Sequence, residues 1–453
     1  MTSVIKAVCV GAGIGTSLAG IALNSLLLLA AFPGAASALD APPHVVVPVA
    51  SSYEKIIRVG PSRAIRTISE AARQAKNGDI VEIDAGDYVA DVAAWPQDNL
   101  TIRAFNGRAR LLANGAIAEG KGIWVMRGGK ITVEGIDFVG ARAPQKNGAG
   151  IRFEKGHLVV RNCTFTDNEN GILTAGGSAS LEVRDSEFDN NGTVDGFGHS
   201  IYAGKIDRLT VSGTYIHREV GGHLLKSRAA ENHILANRLT DEIGGRASYE
   251  LEFPNGGLNY VIGNIIEQNP ASENPAIVAV GMEGYQWPRN ELYLINNTIA
   301  NDRSEGGNFL NIKNGIQRVK AVNNLLVGPG AAITGTTGEL IDRVLPDADA
   351  VKNSVRTLAV RANNMRRGVE GAPPATEAGE FANNLQVDWD QFMLASRYDY
   401  RLRSDSALIG NVVAAGSANG VNLTQRLQYL HPSQARPLRE EPKMPGALQS
   451  AAP

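Results

Sequence analysis

The chain has 453 residues, and its 44 Lys and Arg against 46 Asp and Glu leave a net charge of −2. That balance speaks against a nucleic-acid partner, which would need a basic excess, while leaving room for a local basic groove. Cys9 and Cys163 are the only cysteines, so no disulfide framework holds the molecule together and a large buried core must do so.

In chain order, residues 1–38 read as a secretory signal peptide. Lys6 precedes an uncharged, apolar stretch over residues 7–39, and Ala36, Ser37 and Ala38 form a small-residue cleavage site. The stretch is long enough to span a bilayer, but Gly11, Gly13, Gly15 and Gly20 dilute its front half and favour cleavage after Ala38. Export to the periplasm or the medium is then expected, with Cys9 removed and no membrane attachment left. Residues 39–55 are a linker, and residues 56–431 carry the fold. Ser62, after Pro61, is expected to cap a helix reaching about Lys76, with Ile65, Ile68, Ala72 and Ala75 on one face. That face would plug the open apolar end of the strand-rich region beyond it. A turn at Asn77 and Gly78 then leads into a strand-like alternation through Tyr88.

The middle of the chain repeats one phrase. It reads Val160 to Phe165, Val183 to Phe188, Val211 to Ile216, Ile234 to Leu239, Val261 to Ile266, Leu294 to Ile299 and Ala321 to Leu326, with an earlier copy from Val133 to Phe138. The final residues fall at 138, 165, 188, 216, 239, 266, 299 and 326, so the steps are 27, 23, 28, 23, 27, 33 and 27 residues. A period of that size means a solenoid in which each repeat buries its apolar face against its neighbours. Apolar and polar residues alternate within each copy, so the repeats are strands and the fold is all-β: a right-handed parallel β-helix of roughly ten coils. One column runs Gly135, Asn162, Asp185, Gly213, Ala236, Gly263, Asn296, Asn323. It suits a tight turn in left-handed conformation, with Asn side chains hydrogen-bonding along the stack. After Ile333 the repeat blurs, and Asn363-Asn364 and Asn383-Asn384 hint at two irregular coils. Residues 432–453, with Pro432, Pro437, Pro442, Pro445 and Pro453, are expected to be disordered.

The helix and the segment from Asn77 to Tyr88 after it resemble the opening of pectate-lyase-like β-helix proteins, many of which act on polysaccharides. The segment from Tyr398 to Gly410 is similar to the last-coil phrase of the same group, so the resemblance spans roughly residues 56–410. It implies the fold and a polysaccharide partner. The activity stays open, because one fold hosts many functions.

Four of the seven histidines, His199, His217, His223 and His233, fall close together with Lys226, Arg228, Arg238, Arg246, Glu250 and Glu252. If Ile201, Leu225 and Leu251 face the core of successive coils, then Tyr202, Lys226 and Glu252 face outward. Ser200, Leu224 and Glu250 would flank them on the outer surface, and Arg228 would share the face. Those residue types suit β-elimination from a uronic acid, in which the carboxylate is neutralised, the C5 proton removed and the leaving oxygen protonated. Lys226 or His223 would be the base, Arg228 the carboxylate clamp, and Tyr202 or His199 the acid. Glu250 and Glu252 could bind Ca²⁺. Solvated ion pairs on an exposed face are the plain alternative, and they would contribute little to stability. His217 and His233 suit turns, and no spacing supports zinc.

The stretch from Asp195 through Arg238 also resembles alginate C5-epimerases, through Asp195 to His199, Ser227-Arg228 and Asn237-Arg238, although their Asp-Pro-His-Asp motif is absent. That resemblance implies His199 as base and Arg228 as carboxylate neutraliser. Polysaccharide lyases with Lys and Arg on neighbouring coils match through Lys226 with Arg228 or Arg246. Hydrolases rank below both, since no Asp pair adjoins His223. The step of 33 residues contains a loop from Gly281 to Asn290, in which Tyr285 and Trp287 could stack on sugar rings. The expected molecule is a monomeric enzyme, most simply a lyase, with an epimerase or a non-catalytic carbohydrate binder as alternatives.

Overall fold

The structure, a computed structural model, describes residues 55–272, 274–335 and 379–450. The expected leader at 1–38, nearly all of the linker at 39–55 and the Asn363-Asn364 pair lie outside the described residues.

Each coil contributes three short strands, as in Ala179–Arg184, Glu187–Asp189 and His199–Ala203. On every face, strands one coil apart pair in parallel. The first two faces merge into one 21-stranded sheet and the third is a separate sheet of ten strands, so the described residues form a solenoid of about ten turns. The repeat phrase explains why. Its last residues stack in register, Phe138 on Phe165, Phe188, Ile216, Leu239, Ile266, Ile299 and Leu326. All eight are buried, each contributing about 1.5–3 kcal/mol of apolar burial. Three of them form an aromatic stack, with Phe138, Phe165 and Phe188 centroids 4.9 and 4.5 Å apart.

The turn between the first two faces behaves as its sequence column predicts. All eight residues from Gly135 to Asn323 in that column have φ between 47° and 75°, where Gly costs nothing and Asn or Asp is tolerated. The main hydrogen-bonded ladder, however, lies one residue further on. Asn237, Asn264, Asn297 and Asn324 each donate Nδ2 to the Oδ1 of the Asn one coil on, at 3.0, 3.0, 3.0 and 2.7 Å, the last to Asn384. The same oxygens accept the backbone amides of Asn237, Asn264 and Asn297 at 2.9 Å. A side chain in the left-handed position points away from the interior; the next residue points in, where unpaired amides would be costly.

Two expectations are corrected. The helix is Ile68–Gln74 and its N-cap is Thr67, not Ser62. Its amides at Ile68 and Ser69 reach Asp91 (2.5 and 2.9 Å), and Ile68, Ala71 and Ala72 join the core beside Trp95. Residues 432–450, expected to lack structure, instead take part in a strap along the Asn turn. The descending limb gives Asn411 and Val413 carbonyls to Asn383 and Asn323, at 2.9 and 2.8 Å. The strap turns in a hairpin, Leu427–Leu430 with Gln434–Pro437, where the Ala435 amide meets Asp185 at 2.9 Å. It returns to set the Ala447 amide on Thr298 at 3.0 Å. Proline fits because many of the strap's contacts are made by its own carbonyls, which accept from the Asn296, Asn323 and Asn383 side chains and do not need proline's missing N–H.

Replacing Asn297 by Ala removes two donors and an acceptor from this ladder. The expected loss is about 1–3 kcal/mol, read as a lower urea midpoint; an unchanged midpoint would contradict the bridging role.

Candidate functional site

The third face carries the titratable cluster. On strands His199–Ala203, His223–Ser227 and Tyr249–Phe253, Ile201 pairs with Leu225 and Leu225 with Leu251, while Tyr202 pairs with Lys226 and Lys226 with Glu252. The first set is core and the second faces outward. The second residue of each strand departs from simple alternation. Pairing skips Ser200, Leu224 and Glu250, and all three are fully buried. An interrupted pleat turns second and third positions inward together. Glu250 therefore lies inside, near Asp241 and Glu267, while Glu252 lies outside, 2.9 Å from the Lys226 ammonium and 3.4 Å from the His223 Nε2. The two carboxylates proposed to bind Ca²⁺ thus have different surroundings, Glu250 among buried acids and Glu252 beside Lys226. Among the described residues no group of three or more His, Cys, Asp or Glu is arranged to hold a metal ion.

His199, Tyr202, His223, Lys226 and Arg228 do come together. Arg228 donates Nε to the Tyr202 hydroxyl at 2.7 Å and one terminal nitrogen to Asn255 at 3.1 Å. Its two terminal nitrogens grip the Glu283 carboxylate at 2.5 and 2.9 Å. Lys226 approaches the same carboxylate at 3.1 Å. The His199 ring stacks on Tyr202, centroids 5.3 Å apart, and the His223 ring on Tyr249 at 5.2 Å. His199 Nδ1 receives the His223 backbone amide at 3.0 Å and faces His223 Nδ1 at 3.1 Å. This pattern assigns the proton of His199 to Nε2 and that of His223 to Nδ1.

Burial and the neighbouring cations hold His199 neutral, its pKa lowered to about 3, and keep His223 well below the usual histidine range. Glu283 is pulled down to about 2, first by its bond to Arg228. Glu252 is shifted up by burial, against the pull of Lys226. Behind the strands, burial raises four further carboxyls, Glu219, Asp241, Glu250 and Glu267. Ser200 Oγ donates to Glu219 at 2.6 Å, and neither oxygen of Glu250 has a hydrogen-bond partner among the described residues.

Arg228 is not the exposed residue of small weight in stability that was expected. Its side chain is 17% exposed, and its backbone carbonyl accepts Trp287 Nε1 at 3.0 Å. Removing its side chain, which bonds Tyr202, Asn255 and Glu283, should cost stability. Trp287 thus stands at the cluster's edge. Tyr285 does not: its hydroxyl donates to the Lys313 carbonyl at 2.6 Å, and its half-buried ring packs on the core. Arg246 is exposed on the turn before Tyr249, and its side chain makes no ion pair among the described residues. His217 and His233 sit on the other two faces as strand residues, beside Glu187 at 3.0 Å and Glu231 at 2.6 Å. Sequence reasoning missed Glu283 and Asn255. Glu283 lies in the loop already singled out for its aromatics, and an acid within an insertion opposite Lys and Arg was its only signal.

The family model described as a right-handed β-helix region matches residues 97–239, less than half of the chain. No curated protein matches. Among solved structures, the crystal structure of pectate lyase Pel9A is similar at 13% identity, covering 88% of this chain and 97% of that one, with a TM-score of 0.42. A likeness at that level carries no argument about activity.

The buried acids set a pH dependence. Asp241 is raised from 3.8 to about 7, chiefly by burial. A carboxyl raised in the folded state stabilises most below its unfolded pKa and loses that contribution as pH rises through the folded value. Between pH 4 and pH 8, the melting temperature of wild type should therefore fall relative to that of Asp241→Asn. A difference that stays constant over that range, or moves the other way, would refute the shift.

Proposed function

We propose that the protein is an exported β-helix enzyme acting on a uronate-containing polysaccharide by β-elimination. The observation that carries this reading is the convergence of Arg228 and Lys226 on one carboxylate, beside the Tyr202 hydroxyl, on the outer face of adjacent coils. A substrate carboxylate in the place of Glu283 would have its charge neutralised as the C5 proton leaves, which is where electrostatic stabilisation acts in such a reaction.

Tyr202 is the best placed of the proton-handling groups. It is half-exposed, while His199, His223 and Lys226 are buried. Arg228 donates to its oxygen and holds it in place beside the cation pair, and to act as base Tyr202 would first release its own proton. The phenolate takes the C5 proton, the C4–oxygen bond breaks as the C4–C5 double bond forms, and the same proton passes to the leaving oxygen. This departs from the roles expected for Lys226 and His199. Lys226 contacts two carboxylates, Glu252 and Glu283, and serves as a charge partner. His199 has its proton on the outward Nε2 and its Nδ1 occupied, so it orients Tyr202 rather than acting as a base. The apolar helix face, with Ile68 and Ala72 against the first coil, serves as the amino-terminal plug, and the apolar leader directs export.

A second reading, a non-catalytic carbohydrate binder, is favoured by one observation: every cation of the cluster is already paired within the protein.

Incubation with alginate, polygalacturonate and glucuronate polymers separates the two readings. New ultraviolet absorbance from unsaturated ends is expected with at least one of them, and Tyr202→Phe should lower that rate about 10²–10⁴-fold while leaving the fold intact. Binding without new absorbance would select the binder, and full activity in Tyr202→Phe would remove Tyr202 from the chemistry.

A further inference from the structure

The way Glu283 is held resembles a bound ligand more than a surface ion pair. Two parallel bonds from the Arg228 guanidinium meet its two oxygens, one oxygen to each terminal nitrogen, at 2.5 and 2.9 Å. This is the fork-to-fork geometry specific to a planar carboxylate. Lys226 adds a third contact at 3.1 Å. The cations are nearly covered, with Lys226 at 11% and Arg228 at 17% side-chain exposure, whereas Glu283 is 43% exposed. The partner that closes the site is thus the one with somewhere else to go.

The loop itself is pinned. The Gly281 amide donates to the Phe253 carbonyl at 2.9 Å, the Glu283 amide to Pro254 at 3.0 Å and the Gln286 amide to Asn255 at 3.0 Å. Tyr285 and Trp287 tie it further at 2.6 and 3.0 Å. The Glu283 side chain, by contrast, hangs from this fixed backbone and is 43% exposed. Rotamer changes in exposed side chains take picoseconds to nanoseconds, so such an exchange would not limit turnover.

We infer that Glu283 is a built-in, displaceable stand-in for the substrate's carboxylate, occupying the Lys226–Arg228 subsite until a uronate replaces it. The inference rests on the reading that this cation pair receives a uronate. It adds two consequences. The subsite is shaped for a planar carboxylate, which sets uronates apart from sulfated sugars. Affinity is also lowered by the fraction of molecules in which Glu283 holds the site, since apparent Kd equals intrinsic Kd divided by the competent fraction. The protein's own carboxylate thereby keeps the nearly covered Arg228 paired in the free state, where an uncompensated charge would be costly.

The test is calorimetric titration of wild type, Glu283→Gln and Glu283→Ala with sodium D-glucuronate and sodium D-galacturonate at fixed ionic strength, with D-glucuronamide as the uncharged control. Both variants are expected to bind at least one of the uronates about tenfold or more tightly than wild type, with no gain for the amide. Melting temperatures near that of wild type would show that the variants fold, and two substitutions guard against one being misfolded. Equal uronate affinity in all three proteins would overturn the stand-in while leaving the uronate reading intact. The same gain for the amide would overturn it as well, since a loosened loop rather than a vacated carboxylate site would then be responsible. Binding of neither uronate by any of the three would overturn both the inference and the reading on which it rests.

Discussion

Everything in this molecule depends on parallel backbone pairing between coils, which holds neighbouring coils about 4.8 Å apart. That spacing makes each sequence position a column. Where the column is apolar, as from Phe138 to Leu326, side chains stack into a continuous core without disulfides. Cys163, the cysteine among the described residues, is buried and unpaired. Where the column is amide, as from Asn237 to Asn384, each side chain closes the turn of its neighbour. A single coil has neither a core nor a satisfied turn, and acquires both only from the coils on each side.

The same constraint concentrates charge. Tyr202, Lys226 and Glu252 occupy one column, and His199, His223 and Tyr249 another. Groups forced to such spacing must pair, neutralise or change protonation. Lys226 and Arg228 pair with Glu252 and Glu283, the two histidines stay neutral, and Glu219, Asp241 and Glu250 behind them have their pKa values raised by burial. The arrangement is compact because three consecutive coils supply His199 with Tyr202, His223 with Lys226 and Arg228, and Tyr249 with Glu252, at no cost in extra loop. Only Glu283 and Trp287 arrive from an insertion, and both reach Arg228. One residue is the hub of the cluster: Arg228 ties together Tyr202, Asn255 and Glu283 through its side chain and Trp287 through its backbone carbonyl.

What the sequence determined by itself was what repeats. The period, the inward column ending at Leu326 and the left-handed turn column from Gly135 are local patterns multiplied by stacking, and each copy corroborates the next. The register that sets Tyr202 over Lys226 and Glu252 came from the same repetition. What only the tertiary structure decided was what does not repeat or what spans coils. The break in the pleat that turned Glu250 inward leaves no mark in composition, because it is set by backbone pairing. The proline-bearing strap looks structureless in sequence because its partners, such as Asp185 and Thr298, lie 250 and 149 residues away. Glu283 meets Arg228 across 55 residues. No local propensity encodes such a contact; only the stacking of coils brings its two ends to the same place.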